Sequence, residues 1–127
     1  MKKLLAITAA AAVLMGAYSA EAAKIKVGFI APFSGGFAIW GKQFKDSVQA
    51  FQKLHGNSVN GNEIEIIYRD VGGPDPAKAK QLAEELILRD RIKILTGLVF
   101  SNNTMALAPV IDEAKVPVVI MNAATSK

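Results

Sequence analysis

The chain has 127 residues, 51% of them hydrophobic, with a formal net charge of +4 and no cysteine. This describes one globular domain at most, too apolar for a disordered chain and without the thiols of a disulfide scaffold. Its lysines and arginines are scattered rather than striped between aromatic residues, so nucleic acid has little support as a partner.

Lys2 and Lys3 precede an apolar run from Leu4 to Ala17, and small residues follow through Ala20-Glu21-Ala22-Ala23. That order reads as a cleavable secretory signal over residues 1–22, cut after Ala22. Its apolar core is too short to cross a bilayer comfortably. No cysteine stands at the cleavage site to carry a lipid anchor, so residues 23–127 are expected in the periplasm.

From Lys24 onward, strand and helix patterns alternate. Lys24 to Ala31 starts polar and ends apolar, as an inner strand with a solvated beginning does, and Pro32 to Phe37 breaks it. From about Ile39 to His55 the residues Trp40, Phe44, Val48 and Phe51 recur at helical spacing, and Gly56 supplies the stop. Asn60-Gly61 is a turn pair, and the alternation of Glu63 to Arg69 marks a strand near a sheet edge. Asp75 and Pro76 are the N-cap and first residue of a second helix, whose stripe of Ala79, Leu82, Ala83, Leu86 and Ile87 carries it to Asp90. Ile92 to Leu98 is the third strand. A third helix spans about Asn103 to Ala114, weakened at Pro109, and Val116 to Met121 forms a fourth strand opened by Pro117.

Four strands joined by three helices over such short connections imply an α/β fold, a doubly wound parallel sheet with helices on both faces. Ligands of such sheets lie beyond the carboxyl ends of the strands, where the winding reverses. With the reversal between the first and third strands, the loop Pro32 to Trp40 faces Phe100 to Thr104, and Asp70 to Pro74 and Asn122 to Ser126 flank them. At Ser101-Asn102-Asn103-Thr104 a strand ending in Gly97 gives way to a helix, whose unpaired N–H groups and dipole attract a carboxylate or other anion.

No catalytic constellation accompanies this site, and no catalytic residue is expected. The single histidine, His55, lacks carboxylate or thiol partners at ligand spacing, so no metal is expected either. Gly35-Gly36 and Asp70 mimic in position the glycines and ribose-binding acid of a dinucleotide site. The segment Gly28 to Gly36 lacks the G-x-G-x-x-G spacing, however, and no cofactor is expected.

Lys26 to Gly35, Trp40-Gly41, Asp70 with Asp75-Pro76, Ala106 to Val110, Val116-Pro117-Val118 and Ala123-Ala124-Thr125 occur in one order along residues 23–127. Together they resemble the branched-chain amino acid (Leu/Ile/Val-binding) type of periplasmic substrate-binding protein, the type I receptors of ABC importers. The resemblance implies a two-lobed protein that closes on its ligand as a hinged clamp. Residues 23–127 would then be part of the N-terminal lobe of a truncated receptor, with the second lobe absent. It implies a small carboxylate ligand, whether a branched-chain or other amino acid or an aromatic carboxylate, and as partners an ABC permease and ATPase complex in the inner membrane. It implies a binding function rather than an enzymatic one. A ligand-sensing lobe of the same fold is the alternative.

For the site, the resemblance implies that Ser101 and Thr125 hold the carboxylate, that the Ala123 carbonyl takes an ammonium, and that Trp40 covers the ligand. Phe100 and Asn102 complete the candidate contacts. They stand beside Ser101 where members that bind amino acids commonly carry small residues, which leaves the ligand's identity open. The helix-terminus argument reaches Ser101 independently.

Overall fold

Strand β1 (Lys24–Ala31) runs from solvent into the centre of the molecule, its first residue exposed and its last four buried. The polar start and apolar finish of its sequence dictate that gradient. The structure, a computed structural model, describes residues 23–124. The signal expected over residues 1–22 and the ligand contact expected at Thr125 lie outside the described residues.

From β1 the chain passes through α1 (Ala38–His55) to the short β2 (Ser58–Val59) and β3 (Asn62–Asp70), then through α2 (Pro76–Glu84) to β4 (Ile94–Gly97) and through α3 (Ser101–Ala114) to β5 (Val118–Ile120). The strands form one five-stranded sheet in the order β2-β3-β1-β4-β5. β3 and β4 flank β1 in parallel, and β5 lies parallel beyond β4. The path goes first to one side of β1 and then to the other. The winding therefore reverses where the sequence pattern places it.

Alternation along β1 serves two cores. Phe29 and Ala31 face Phe44 and Val48 of α1 together with Ile66 and Tyr68 of β3. Ile30 points the other way, into a cluster with Leu95, Ala79, Ala83, Leu86 and Leu107 beneath α2 and α3. Alanine at 79 and 83 lets α2 settle close on the sheet. Its start follows the expected chemistry, with Asp75 accepting the Lys78 N–H at 2.9 Å and Pro76 in the first turn.

Three local features differ from the sequence pattern. β2 is an extra strand, antiparallel to β3, closed by Asn60 and Gly61 at φ 50° and 79°. Two left-handed residues make the tight turn of a two-residue hairpin, and a strand of two residues shows no alternation to read. The second helix widens at its end into a π-helical turn, Glu85–Arg89, which no residue there announces. The third helix runs uninterrupted through Pro109. That proline is exposed, so the Met105 carbonyl it leaves free lies on the side that water can reach.

α1 sits tightly on the loop that precedes it. A Cβ built on Gly41 would stand 2.1 Å from the Pro32 carbonyl oxygen. Replacing a helical glycine by alanine ordinarily stabilises by about 1 kcal/mol. At Gly41 the sign should reverse: Gly41→Ala is expected to destabilise by about 1–3 kcal/mol as the loop is pushed away. A urea titration checks this, and a midpoint at or above that of the unsubstituted protein contradicts it.

Candidate ligand-binding site

The corner at the start of α3 is built by an abrupt exit from β4. Gly97 adopts φ 96° and Leu98 φ 57°. The Leu98 N–H then donates to the Ile30 carbonyl at 2.8 Å, so the chain turns immediately above the end of β1. α3 begins at Ser101, earlier than its apolar period suggests, with Phe100 as an N-cap whose side chain makes no capping bond.

The hydrogen bonds of that turn decide which groups remain open. Thr104 is the first to close an intrahelical bond, its N–H donating to the Phe100 carbonyl at 3.0 Å. The Asn103 N–H is taken by the Asn102 side-chain oxygen at 2.9 Å. The N–H groups of Ser101 and Asn102, and the Ser101 hydroxyl, make no hydrogen bond among the described residues. Ser101 is partly exposed and Asn102 exposed, so these donors face solvent at the positive end of the helix. Asn103, 2% exposed, turns inward instead, and its Nδ2 donates to the Gly73 carbonyl at 3.1 Å.

Asp70, the last residue of β3, clasps the loop opposite. Its Oδ1 accepts the N–H groups of Phe33 at 2.7 Å, Ser34 at 3.3 Å and Gly72 at 2.8 Å, while Oδ2 accepts the Ser34 hydroxyl. Burial pushes the Asp70 carboxyl up, but the Ser34 hydroxyl and the three N–H groups outweigh it and hold the group below its ordinary value. The clasped loop continues into a 3-10 turn, Gly35–Phe37. Phe37 meets Phe100 edge to face, ring centroids 5.0 Å apart at 79°.

Phe100, Ser101 and Asn102 therefore share one open corner, with Asn102 partly occupied in capping. Trp40 is 40% exposed and leans on Phe44, one helical turn along, at 6.5 Å; the ring that reaches Phe100 is Phe37. Ala123 is tied beside the corner by its N–H to the Leu98 carbonyl at 3.1 Å, and Asn122 by its Nδ2 to the Val99 carbonyl at 3.3 Å. Phe37 and the Asp70 clasp were missed from the sequence. The only trace of the clasp there is an acid directly after an alternating strand and before Gly72-Gly73.

Two other observations bear on function. Among the described residues, no group of three or more histidine, aspartate or glutamate side chains gathers to hold a metal. A groove of ≈ 400 Å³ between α1 and β3, lined by Val48, Phe51, His55, Val59, Ile64 and Ile66, lies at the opposite end of the sheet from the Ser101 corner.

A family model described as periplasmic binding protein matches residues 24–127. The chain belongs to that family. It is 45% identical over 126 residues to the Leu/Ile/Val-binding protein homolog 6 of Brucella abortus, covering 99% of this chain and 32% of that one. It thus spans about a third of the length of the curated relatives it matches. A solute-binding protein of an R. palustris ABC transporter in complex with 4-hydroxybenzoate superposes with a TM-score of 0.78 at 48% identity, over 81% of this chain and 28% of that one. The solute-binding protein of Rhodopseudomonas palustris HaA2 in complex with p-hydroxybenzoic acid is 50% identical, with the same TM-score of 0.78 and the same coverage of 81% and 28%.

The Asp70 clasp carries a pH signature. A carboxyl group whose pKa is depressed in the folded state contributes stability above its unfolded value, and that contribution is lost as the pH falls through the folded value. Denaturation midpoints of the unsubstituted protein and Asp70→Asn should differ at neutral pH and converge below about pH 4. A gap that stays constant into acid contradicts this.

Proposed function

We propose that this chain forms the first lobe of the solute-binding component of an ABC importer, exported by a cleavable signal over residues 1–22, and that it captures a small carboxylate, foremost an aromatic one, for delivery to an inner-membrane permease and its ATPase. The observation that carries this reading is the Ser101 corner: a helix N-terminus whose first two N–H groups and Ser101 hydroxyl have no partner among the described residues, walled by the Phe37–Phe100 pair. The complexes of two relatives with 4-hydroxybenzoate support it.

Capture needs no chemistry. The ligand carboxylate takes the Ser101 hydroxyl and the N–H groups of Ser101 and Asn102, each charge-assisted bond contributing roughly 1.5–3 kcal/mol once water is excluded. Thr125 supplies a second hydroxyl. Phe100, Phe37 and Trp40 offer apolar cover, and closure of a second lobe shuts out solvent by a hinge motion.

The aromatic preference rests on what this edge can accept as well as donate. An amino-acid ligand brings an ammonium, which needs an acceptor. Both Asp70 oxygens are engaged by the adjoining loops, and Asp75 is turned to capping α2 through one of its oxygens. The Ala123 carbonyl is the acceptor assigned to that role. A benzoate-like ligand makes no such demand, and its ring matches the Phe37–Phe100 wall.

Calorimetry on the complete gene product tests the reading. Binding of 4-hydroxybenzoate should be tighter than that of leucine, and Ser101→Ala should weaken it by about tenfold or more, a loss of about 1.4 kcal/mol. Unchanged affinity in a normally folded Ser101→Ala variant would remove Ser101 from the contacts. Leucine binding more tightly than the aromatic acid would overturn the aromatic preference.

A further inference from the structure

We infer that Asp70 is a positioning residue of the binding edge, whose carboxylate holds the Phe33–Phe37 loop against the start of α3 without touching the ligand. The inference rests on the binding reading above for the meaning of the edge, and on four hydrogen bonds for the mechanism.

Those bonds join two segments. Phe33 and Ser34 belong to the loop after β1, Gly72 to the loop after β3, and Asp70 accepts from all three residues. Two glycines make the approach possible: Gly35 and Gly72 adopt φ 74° and 75°, and a Cβ on Gly35 would already stand 3.4 Å from the Gly72 carbonyl oxygen. The loop so held presents Phe37, whose ring meets Phe100 at 5.0 Å. Asn103 closes the circuit from the other side by donating to the Gly73 carbonyl at 3.1 Å. With the start of α3, these two segments form a closed ring, β3 end to β1 loop to α3 start and back. Asp70 holds the β1 loop at three points and its own turn at Gly72.

The carboxylate is suited to this and poorly suited to ligand contact. Both oxygens are already accepting, and a free anionic ligand would be repelled by the charge. Pinning the loop before the ligand arrives removes an ordering cost that would otherwise be subtracted from affinity. Asp70→Ala should therefore weaken binding of every carboxylate alike. Asp70→Asn can keep Oδ1 for the three N–H groups and offer Nδ2 to the Ser34 hydroxyl, so it should restore much of what alanine loses.

The test combines calorimetry with amide hydrogen exchange on the complete gene product. In Asp70→Ala the amides of Phe33, Ser34 and Gly72 should exchange faster while those of β1 and α1 stay protected, and affinity for 4-hydroxybenzoate should fall by about tenfold or more. Asp70→Asn should recover protection and affinity together, and it remains informative if the alanine variant does not fold. Loss of affinity with the loop still protected would make Asp70 a ligand contact and overturn the inference. A loosened loop with unchanged affinity would overturn it equally. If the unsubstituted protein binds no carboxylate, the functional reading fails and takes the affinity arm with it, whereas the exchange arm still decides whether Asp70 holds the loop.

Discussion

The carboxyl edge of the sheet depends on one close main-chain approach, that of Gly97 to the end of β1. A Cβ on Gly97 would lie 2.3 Å from the Ile30 carbonyl oxygen, and its φ of 96° is one that side-chain-bearing residues avoid. Glycine alone satisfies both conditions. Because it does, the next N–H reaches Ile30, the Met121 N–H reaches Gly97 at 2.9 Å, and the Ala123 N–H reaches Leu98. The ends of β1, β4 and β5 are pinned together by backbone, and α3 starts from a fixed point.

The fold was legible because its signals are local and repeated. Polar-to-apolar drift along β1, the stripe of α2 and the Asp75-Pro76 start each follow from neighbours in sequence, and short connections leave few ways to assemble them. The Ser101 corner was legible for the same reason, since orphan N–H groups belong to every helix start. What stayed hidden depends on distant pairs. Asp70 and Ser34 are 36 residues apart, and nothing in either segment states that they bond. Phe37 and Trp40 are equally aromatic in sequence; only the 3-10 turn decides that Phe37 reaches Phe100. The start of α3 shifted to Ser101 because tertiary placement, not apolar period, determines where that helix begins.

Polar groups at this edge divide into those spent inside the protein and those left outward. Asp70, Asp75 and the Asn103 amide hold loops and helix ends together. The Ser101 hydroxyl and the N–H groups of Ser101 and Asn102 have no partner among the described residues. An edge that engages both Asp70 oxygens internally and leaves donors outward favours an anion on electrostatic grounds before any ligand is considered.

The two margins of the sheet differ in how readily they could recruit another strand. On the β3 side, the two-residue β2 and its tight hairpin cover only the first residues of β3, and charged side chains such as Glu63 and Glu65 alternate along that strand. On the other side, β5 has no neighbour beyond it among the described residues, and Val119 and Ile120 are 58% and 43% exposed. An apolar, hydrogen-bond-hungry margin of this kind is a template for self-association. At high concentration the lobe on its own would therefore tend to stick to itself along β5 rather than along β2.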